Sequence, residues 1–536
     1  ILGGEVCMKE EEKKVNFSKV VRVLSIPLLA FILWYIFLPA INLHSFEFWI
    51  YLIINLLFTV VILITFDKKY YKLFIVPGIL LALLIVLKLS STVIFHSTKY
   101  ANLINRENSS FEEDIKEASF EQVPTVDRDT AQRLGSRKMG EMLDLVSQYN
   151  VSDAYTQINY NDKPVRVTPL EYNGFLKWIG NKNEGIPNYI IVDMIDGKVE
   201  LTKLENNIKY SKSDKFSRDI YRHLRLKYPR DMFFEINFEI DEEGVPYWVA
   251  PVYHNTIGWF GGFDVKEVIL TNATNGETKK YGIEDVPKWV DRIYDAEEII
   301  RQLNWNGGLQ SGFFNSLFAQ KGVLQTTEGY NYLAIDDDVY LYTGMTSVGA
   351  DESNVGFVLV NMRTKGTKFY KMSSAEEFSA MESAEGAVQE KGYISTFPIL
   401  LNIGNKPTYF MSLKDEAGLV KMYALVDAGN YQQVSIGTTV NNVVSTHLGK
   451  DVSNLPAEEE EEPTELLNIE GKIMGIESVV IDGDTHYYFL LDNRDKIFIA
   501  NIGVSEKLPF IKIDDEVSIE YYEKNNLNQV TKIELR

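Results

Sequence analysis

Cysteine is almost missing from this chain: Cys7 is the only one in 536 residues. Everything beyond it is therefore without disulfides, thiolate nucleophiles or cysteine-ligated zinc and iron–sulfur groups. Histidine is scarce as well, at six residues, and no two of them form a His-Glu-x-x-His pair, which excludes a zincin-type centre. His223 and His254 are the pair that folding can bring together. With no third ligand beside them, they are expected to hold hydrogen-bonded structural roles. Neither Gly-x-Ser-x-Gly nor Ser-x-x-Lys occurs, which removes the commonest exported serine hydrolases. The Gly-x-x-x-x-Gly-Lys and Gly-x-Gly-x-x-Gly phosphate cradles are absent too, and no cofactor is expected.

Positive charge is in deficit. Lys and Arg number 54 against 75 Asp and Glu, a formal net charge of -21. A field of that sign repels nucleic acid and anionic polymers and suits cationic peptides or other proteins as partners. Acidity of this size also serves plain solubility.

Apolar residues are concentrated in three nearly uncharged runs, Val23 to Ile41, Phe48 to Phe66 and Leu73 to Phe95. Each has roughly the 20 residues that an α-helix needs to cross a bilayer. The basic residues Lys13, Lys14, Lys19 and Arg22 precede the first run. The connection "NLHSFE" has no Lys or Arg, whereas "DKKYYK" has three. Because basic flanks are retained inside, the N-terminus is expected in the cytoplasm and everything after about His96 outside. Lys88 is the one charge within the third run, and its stem is long enough to snorkel to the surface. Upstream, "GGEV" ahead of Cys7 and Met8 back-translates into the shape of a bacterial ribosome-binding site, so translation is expected to begin at Met8.

The exported part repeats one plan. "YIIVDMIDGKVELTKL", "VILTNATNGETKKYGI", "FVLVNMRTKGTKFYKM" and "YALVDAGNYQQVSIG" each run an apolar strand into a turn and return as a mixed strand. A second hairpin precedes each: "TQINYNDKPVRVTPL", "FEIDEEGVPYWVAPVY", "YLAIDDDVYLYTGMTS" and "YFMSLKDEAGLVKMY". Helical periodicity separates the units in "DTAQRLGSRKMGEMLDLVSQY", "DKFSRDIYRHLRLKY", "PKWVDRIYDAEEIIRQLNW" and "SAEEFSAMESAEGAVQE". The module is thus a helix followed by an antiparallel meander, used about four times. Its strand-into-turn pattern, clearest at Asn272 to Gly276 and over about 210–285, resembles PepSY modules. That resemblance implies small α+β units of bacterial membrane and secreted proteins, some linked to restraining proteases or to envelope regulation, and it brings no catalytic residue.

Near the end, "VSNLPAEEEEEPTE" combines prolines with mutually repelling glutamates and reads as an extended linker. The remaining chain alternates apolar and polar residues through about five strands, as in a small OB-like barrel. The expected order is a cytoplasmic N-terminus (1–22), three transmembrane helices (23–95), a partly helical stalk (96–126), an α+β ectodomain of about four modules (127–440), an acidic linker (441–466) and the barrel (467–536).

Two groups of residues are candidates for chemistry. Glycosidases need only two carboxylates about 5 to 10 Å apart, and Asp336, Asp337 and Asp338 lie near Asp351 and Glu352 in sequence. The triplet falls where a hairpin must turn, which Asp favours for its own reasons. Calcium is a further use for such clusters, although no EF-hand loop is matched. The other group is "WNGGLQSGFFNSLFAQKG", where Phe313, Phe314, Leu317 and Phe318 fall on one face of a short glycine-bracketed helix, as a partner-docking patch or as core. "TGMTSVGADESN" is a small-polar loop able to line a groove. The sequence therefore reads as a multi-pass bacterial envelope protein, non-enzymatic, whose ectodomain binds or scaffolds an envelope protein or peptide and not nucleic acid. A carboxylate-dependent glycan hydrolase and an accessory subunit of a transport or assembly complex are the rivals.

Overall fold

A computed structural model describes residues 17–117, 123–348, 353–449, 467–481, 484–492, 496–501, 504–505, 507–508, 511–524 and 527–535. The chain divides into two compact units, Ile1–Gly449 and Lys450–Arg536.

The first unit begins with apolar helices. Phe46–Ile64 and Lys68–Ser90 are long and apolar enough to cross a membrane. In the helix Phe17–Phe37 the apolar stretch Val21–Phe37 is shorter. The first two helices run antiparallel, since Arg22 donates to the Thr65 carbonyl and the Tyr51 hydroxyl to that of Ala30. The three apolar helices leave Leu28, Phe31, Val61, Ile79 and Val86 uncovered. The third apolar run stops at Ser90. Val93–Ala101 is a separate helix, not the end of the span expected to reach Phe95.

Four antiparallel meanders follow, each preceded by a helix. Arg128–Gly140 leads to the strands Thr156–Tyr160, Lys163–Tyr172, Ile186–Asp193 and Val199–Ile208. Ile220–Lys227 leads to Asn237–Ile240, Pro246–Ile257, Gly261–Asn272 and Thr278–Gly282. Ala296–Leu309 leads to Asn331–Ile335, Asp338–Ser347, Ser353–Asn361 and Thr367–Ala375, and Glu377–Ala387 to Ile399–Ile403, Lys406–Lys414, Val420–Asp427 and Val434–Gly437. The starts of the first three of these helices are set by side-chain caps. Asp127 accepts from Thr130 N, Asp219 from Arg222 N and Asp295 from Glu298 N, each satisfying a donor that the first turn leaves open.

Neighbouring sheets share cores. Ile158, Val167 and Ile190 of the first sheet pack with Phe238, Trp248 and Ile269 of the second. Val249 and Val268 of the second pack with Leu341 and Val358 of the third, and Tyr342 and Phe357 of the third with Tyr409 and Met411 of the fourth. The fourth sheet then returns to the helix that opens the first module: Lys414 pairs with Asp127, Arg133 donates to the Ala417 carbonyl and Ser412 to that of Thr125. The contacts form a closed circuit around a central space.

The segment expected to be a stalk is instead attached to this body. Arg106–Ser109 adds a parallel strand beside Thr367–Tyr370, and Asp114 pairs with Lys368. Asn306 donates to the carbonyls of Ala101 and Ile104. The reason is that strand addition uses backbone groups, which leave no apolar period to read. At the other end, Val440–Leu448 is a helix capped by Thr439 and closed by Gly449, so it occupies the first residues of the expected linker. The glutamate run lies outside the described residues. The second unit is a closed barrel whose strands, Leu467–Ile481, Asp484–Leu491, Ile497–Asn501, Leu527–Leu535 and Glu516–Lys524, are neighbours in that order.

Candidate functional site

Within this circuit, a cavity of about 480 Å³ is lined by residues of the first three sheets and by a loop of the fourth module. Arg166 comes from the first sheet with Tyr155 just ahead of it, Asn237 and Tyr253 from the second, Tyr332 from the third with Tyr330 just before its strand, and Thr396 and Phe397 from the loop that leads into Ile399–Ile403 of the fourth. Arg292 and Tyr294 join from the extended segment before helix Ala296–Leu309. That size is typical of small-ligand sites.

The charges in the cavity oppose the acidity of the chain. Arg128, Arg166, Lys212 and Arg292 line it together with Asp127, Glu235 and Asp295. Among the described residues none of these four cations forms an ion pair, whereas Asp127 is occupied by Lys414 at 2.5 Å and Asp295 by its helix cap. Arg166 is only 5% exposed. Its Nη2 donates to Gln157 Oε1 at 3.1 Å across the strand pair, and its Nε has no partner. Burial, with the nearby Arg292 adding to it, pushes the Arg166 pKa down to about 10. The group therefore stays cationic at neutral pH in a place where an unpaired charge costs several kcal/mol. Arg292 lies over the Tyr332 ring at 4.0 Å and donates to its hydroxyl at 2.6 Å, and its Nε is again unpartnered. Lys212 is held against Trp248 and Tyr221, and burial lowers its pKa. Tyr155 presents a buried hydroxyl without a partner, and burial raises its pKa.

Behind Arg292 lies a pair of buried carboxylates. Glu239 accepts the backbone N–H groups of Asp291 and Arg292 at 2.9 and 3.1 Å, and Asp291 accepts that of Asn159 at 2.6 Å. Burial raises the Glu239 pKa to about 7 and that of Asp291 well above the carboxylate range, the latter with help from Glu239. These acids fix the segment carrying Arg292 and Tyr294. Neither lines the cavity.

The carboxylates singled out in the sequence are used elsewhere. Asp336 and Asp337 make the turn between Asn331–Ile335 and Asp338–Ser347, Asp336 with φ 52° and an exposed ion pair to Lys116. Asp337 accepts from Asn159, and Asp338 pairs with Arg363 and accepts from Asn361. Asp351 and Glu352 lie outside the described residues, as does part of the small-polar loop. His223 contacts the Gly276 carbonyl and His254 that of Asp264, so the two histidines do not meet.

The glycine-bracketed segment splits. Phe313 is half-buried with Tyr100, Ile257 and Leu309, so it is an anchor and not part of an open patch. Phe314, Leu317 and Phe318 are 69%, 55% and 74% exposed. Phe318→Ser should change stability by less than about 1 kcal/mol. Phe313→Ala should cost about 2 kcal/mol, less than full burial of a Phe implies. Urea unfolding of the two variants beside the parent checks the difference.

No family model matches the chain, and no curated protein matches it. Among solved structures, a variant of B. megaterium levansucrase aligns at 10% identity over 81% of this chain and 97% of that one, with a TM-score of 0.16. That superposition is too poor to bear on fold or activity.

Proposed function

We propose that this chain is a membrane-anchored, non-enzymatic binding protein of the bacterial envelope. Its four-sheet body, built of PepSY-like modules and followed by an OB-like barrel, faces outward. Three N-terminal helices hold it, with the N-terminus in the cytoplasm. The observation that carries the binding claim is the cavity holding Arg166 and Arg292, two guanidiniums whose Nε atoms have no partner and which form no ion pair among the described residues. Guanidinium groups left open in a desolvated site suit the planar, bidentate recognition of a carboxylate or phosphate.

Net charge narrows the ligand further. A field of -21 disfavours approach by a strongly anionic molecule. A peptide that ends in a carboxylate and is otherwise neutral or cationic satisfies both the field and the cavity, and Glu235 at the cavity wall is placed to accept its N–H groups. An alanine tripeptide with a free C-terminus should raise the unfolding midpoint of the purified chain, and its C-terminal amide should not. At ten times Kd the gain is about 1.4 kcal/mol. Equal effects of the two peptides, or no effect of either, would remove the reading.

Location has its own test. In cells carrying Cys7→Ser, a cysteine at the exposed Glu242 should react with a membrane-impermeant thiol reagent and one at the exposed Lys69 should not. The reverse labelling would invert the topology.

A further inference from the structure

The exposed aromatic segment stands close to the ends of the apolar helices. The tip of the hairpin between Pro246–Ile257 and Gly261–Asn272 sits on those ends: Ser91 Oγ accepts from Trp259 N at 2.9 Å and Phe260 N at 3.2 Å, and the Phe260 ring packs on Trp49. The helix Val93–Ala101 starts three residues beyond Ser90, a rise of about 5 Å, which is within the headgroup layer of one leaflet. Helix Ala296–Leu309 packs on it through Asn306 and through Trp305, whose ring meets Tyr100 at 4.6 Å. Phe313 and Val93 both pack on the same cluster.

Beyond Phe313 the chain displays Phe314, Leu317 and Phe318 on one rigid turn. Gly312 has φ 88° and Gln320 is left-handed, and between them Asn315–Ala319 forms a π-helical turn. Asn315 Nδ2 donates to the Lys321 carbonyl and Ser316 Oγ to that of Phe313. The Phe314 and Phe318 rings stack 6.4 Å apart. In so acidic a chain, no Asp or Glu occurs between Glu298 and Glu328, and Lys321 adds a positive charge beside the rings.

We infer that Phe314, Leu317 and Phe318 insert into the boundary between lipid headgroups and acyl chains. There they act as a second, lateral contact that fixes the tilt of the body over the bilayer. Three features favour lipid as the occupant: continuity with the helix ends, the missing negative charge, and aromatic rings at the depth where membrane proteins concentrate them. The inference rests on the membrane-anchored reading, and its test separates the two.

The full chain with Cys7→Ser is reconstituted in phosphatidylcholine–phosphatidylglycerol liposomes, and single cysteines at Phe318, Leu81 and Glu242 carry an environment-sensitive fluorophore. Lipids with a quencher near the headgroup should quench the label at 318 severalfold more than that at 242. The label at Leu81, midway along the third apolar helix, should respond to deep quenchers. If Leu81 is quenched while 318 behaves as 242 does, the patch is not in lipid and the inference falls, with anchoring intact. If Leu81 is not quenched either, anchoring itself fails and the inference with it.

Discussion

Arg166→Met should unfold within about 2 kcal/mol of the parent while losing most of its affinity for a carboxylate-terminated peptide. The guanidinium is buried with one hydrogen-bond partner, Gln157, and among the described residues it forms no ion pair, Asp127 acting on it only at longer range. Replacing a buried charge with an apolar side chain of similar length relieves desolvation worth several kcal/mol. Leaving Gln157 Oε1 unmet costs about 1–3 kcal/mol in the other direction. A charged hydrogen bond to the ligand is worth about 1.5–3 kcal/mol, so affinity should fall roughly tenfold to a hundredfold. Calorimetric titration beside urea unfolding separates the two effects. A variant that binds normally, or one that loses binding only because it has lost its fold, would count against a recognition role for Arg166. Trp248→Ala gives the contrast, because that ring is fully buried and its truncation should cost about 3–5 kcal/mol.

Glu239→Gln should flatten the pH dependence of stability. The carboxyl of Glu239 is fully buried, and burial raises its pKa to about 7 from an ordinary value near 4.5. A raised carboxyl pKa means that the folded state disfavours the charged form. The associated stability is therefore complete below the unfolded value and is lost as pH rises through about 7. Across that window the parent should lose about 3 kcal/mol relative to Glu239→Gln. Asp291 shifts the same way, so the parent's titration belongs to the pair. Urea midpoints of both proteins between pH 4 and 8 check this. Parallel curves would show that Glu239 does not titrate in the folded chain. The amide cannot accept from both Asp291 N and Arg292 N as the carboxylate does, so peptide affinity should also weaken.

Much of the fold was legible because its signals are local. The Asn272 to Gly276 turn, with Gly276 at φ 74°, announces its hairpin in the sequence. The cavity was not legible, because Tyr155, Arg166, Arg292, Tyr332 and Phe397 are far apart in sequence and meet only when the circuit of sheets closes. Arg166 in "PVRVTPL" reads as an ordinary outward residue of a half-buried strand, yet Val165, Arg166 and Val167 are all buried, since both faces of that strand are covered. Arg292 was hidden by a helix read too early. The helical period in "PKWVDRIYDAEEIIRQLNW" spans Pro287 onward, but the helix begins at Ala296 behind the Asp295 cap, with Glu298 in its first turn. The missed signal was that Asp-x-x-Glu start, which leaves Arg292 and Tyr294 on extended chain. The aromatic segment was legible as unusual, but Phe313 and Phe318 differ in burial because Phe313 packs on the cluster of Tyr100, Ile257 and Leu309, which sequence spacing does not show.

The central claim, an anion site between Arg166 and Arg292, is tested most directly by an anomalous difference map from crystals of the purified chain soaked in selenate, a heavy-atom stand-in for a compact oxyanion, at an ionic strength high enough to screen the chain's negative field. The account predicts a peak inside the four-sheet cavity within hydrogen-bond distance of both guanidiniums, and its disappearance in Arg166→Met. A cavity without a peak, in a crystal where selenate binds elsewhere on the surface, would contradict it.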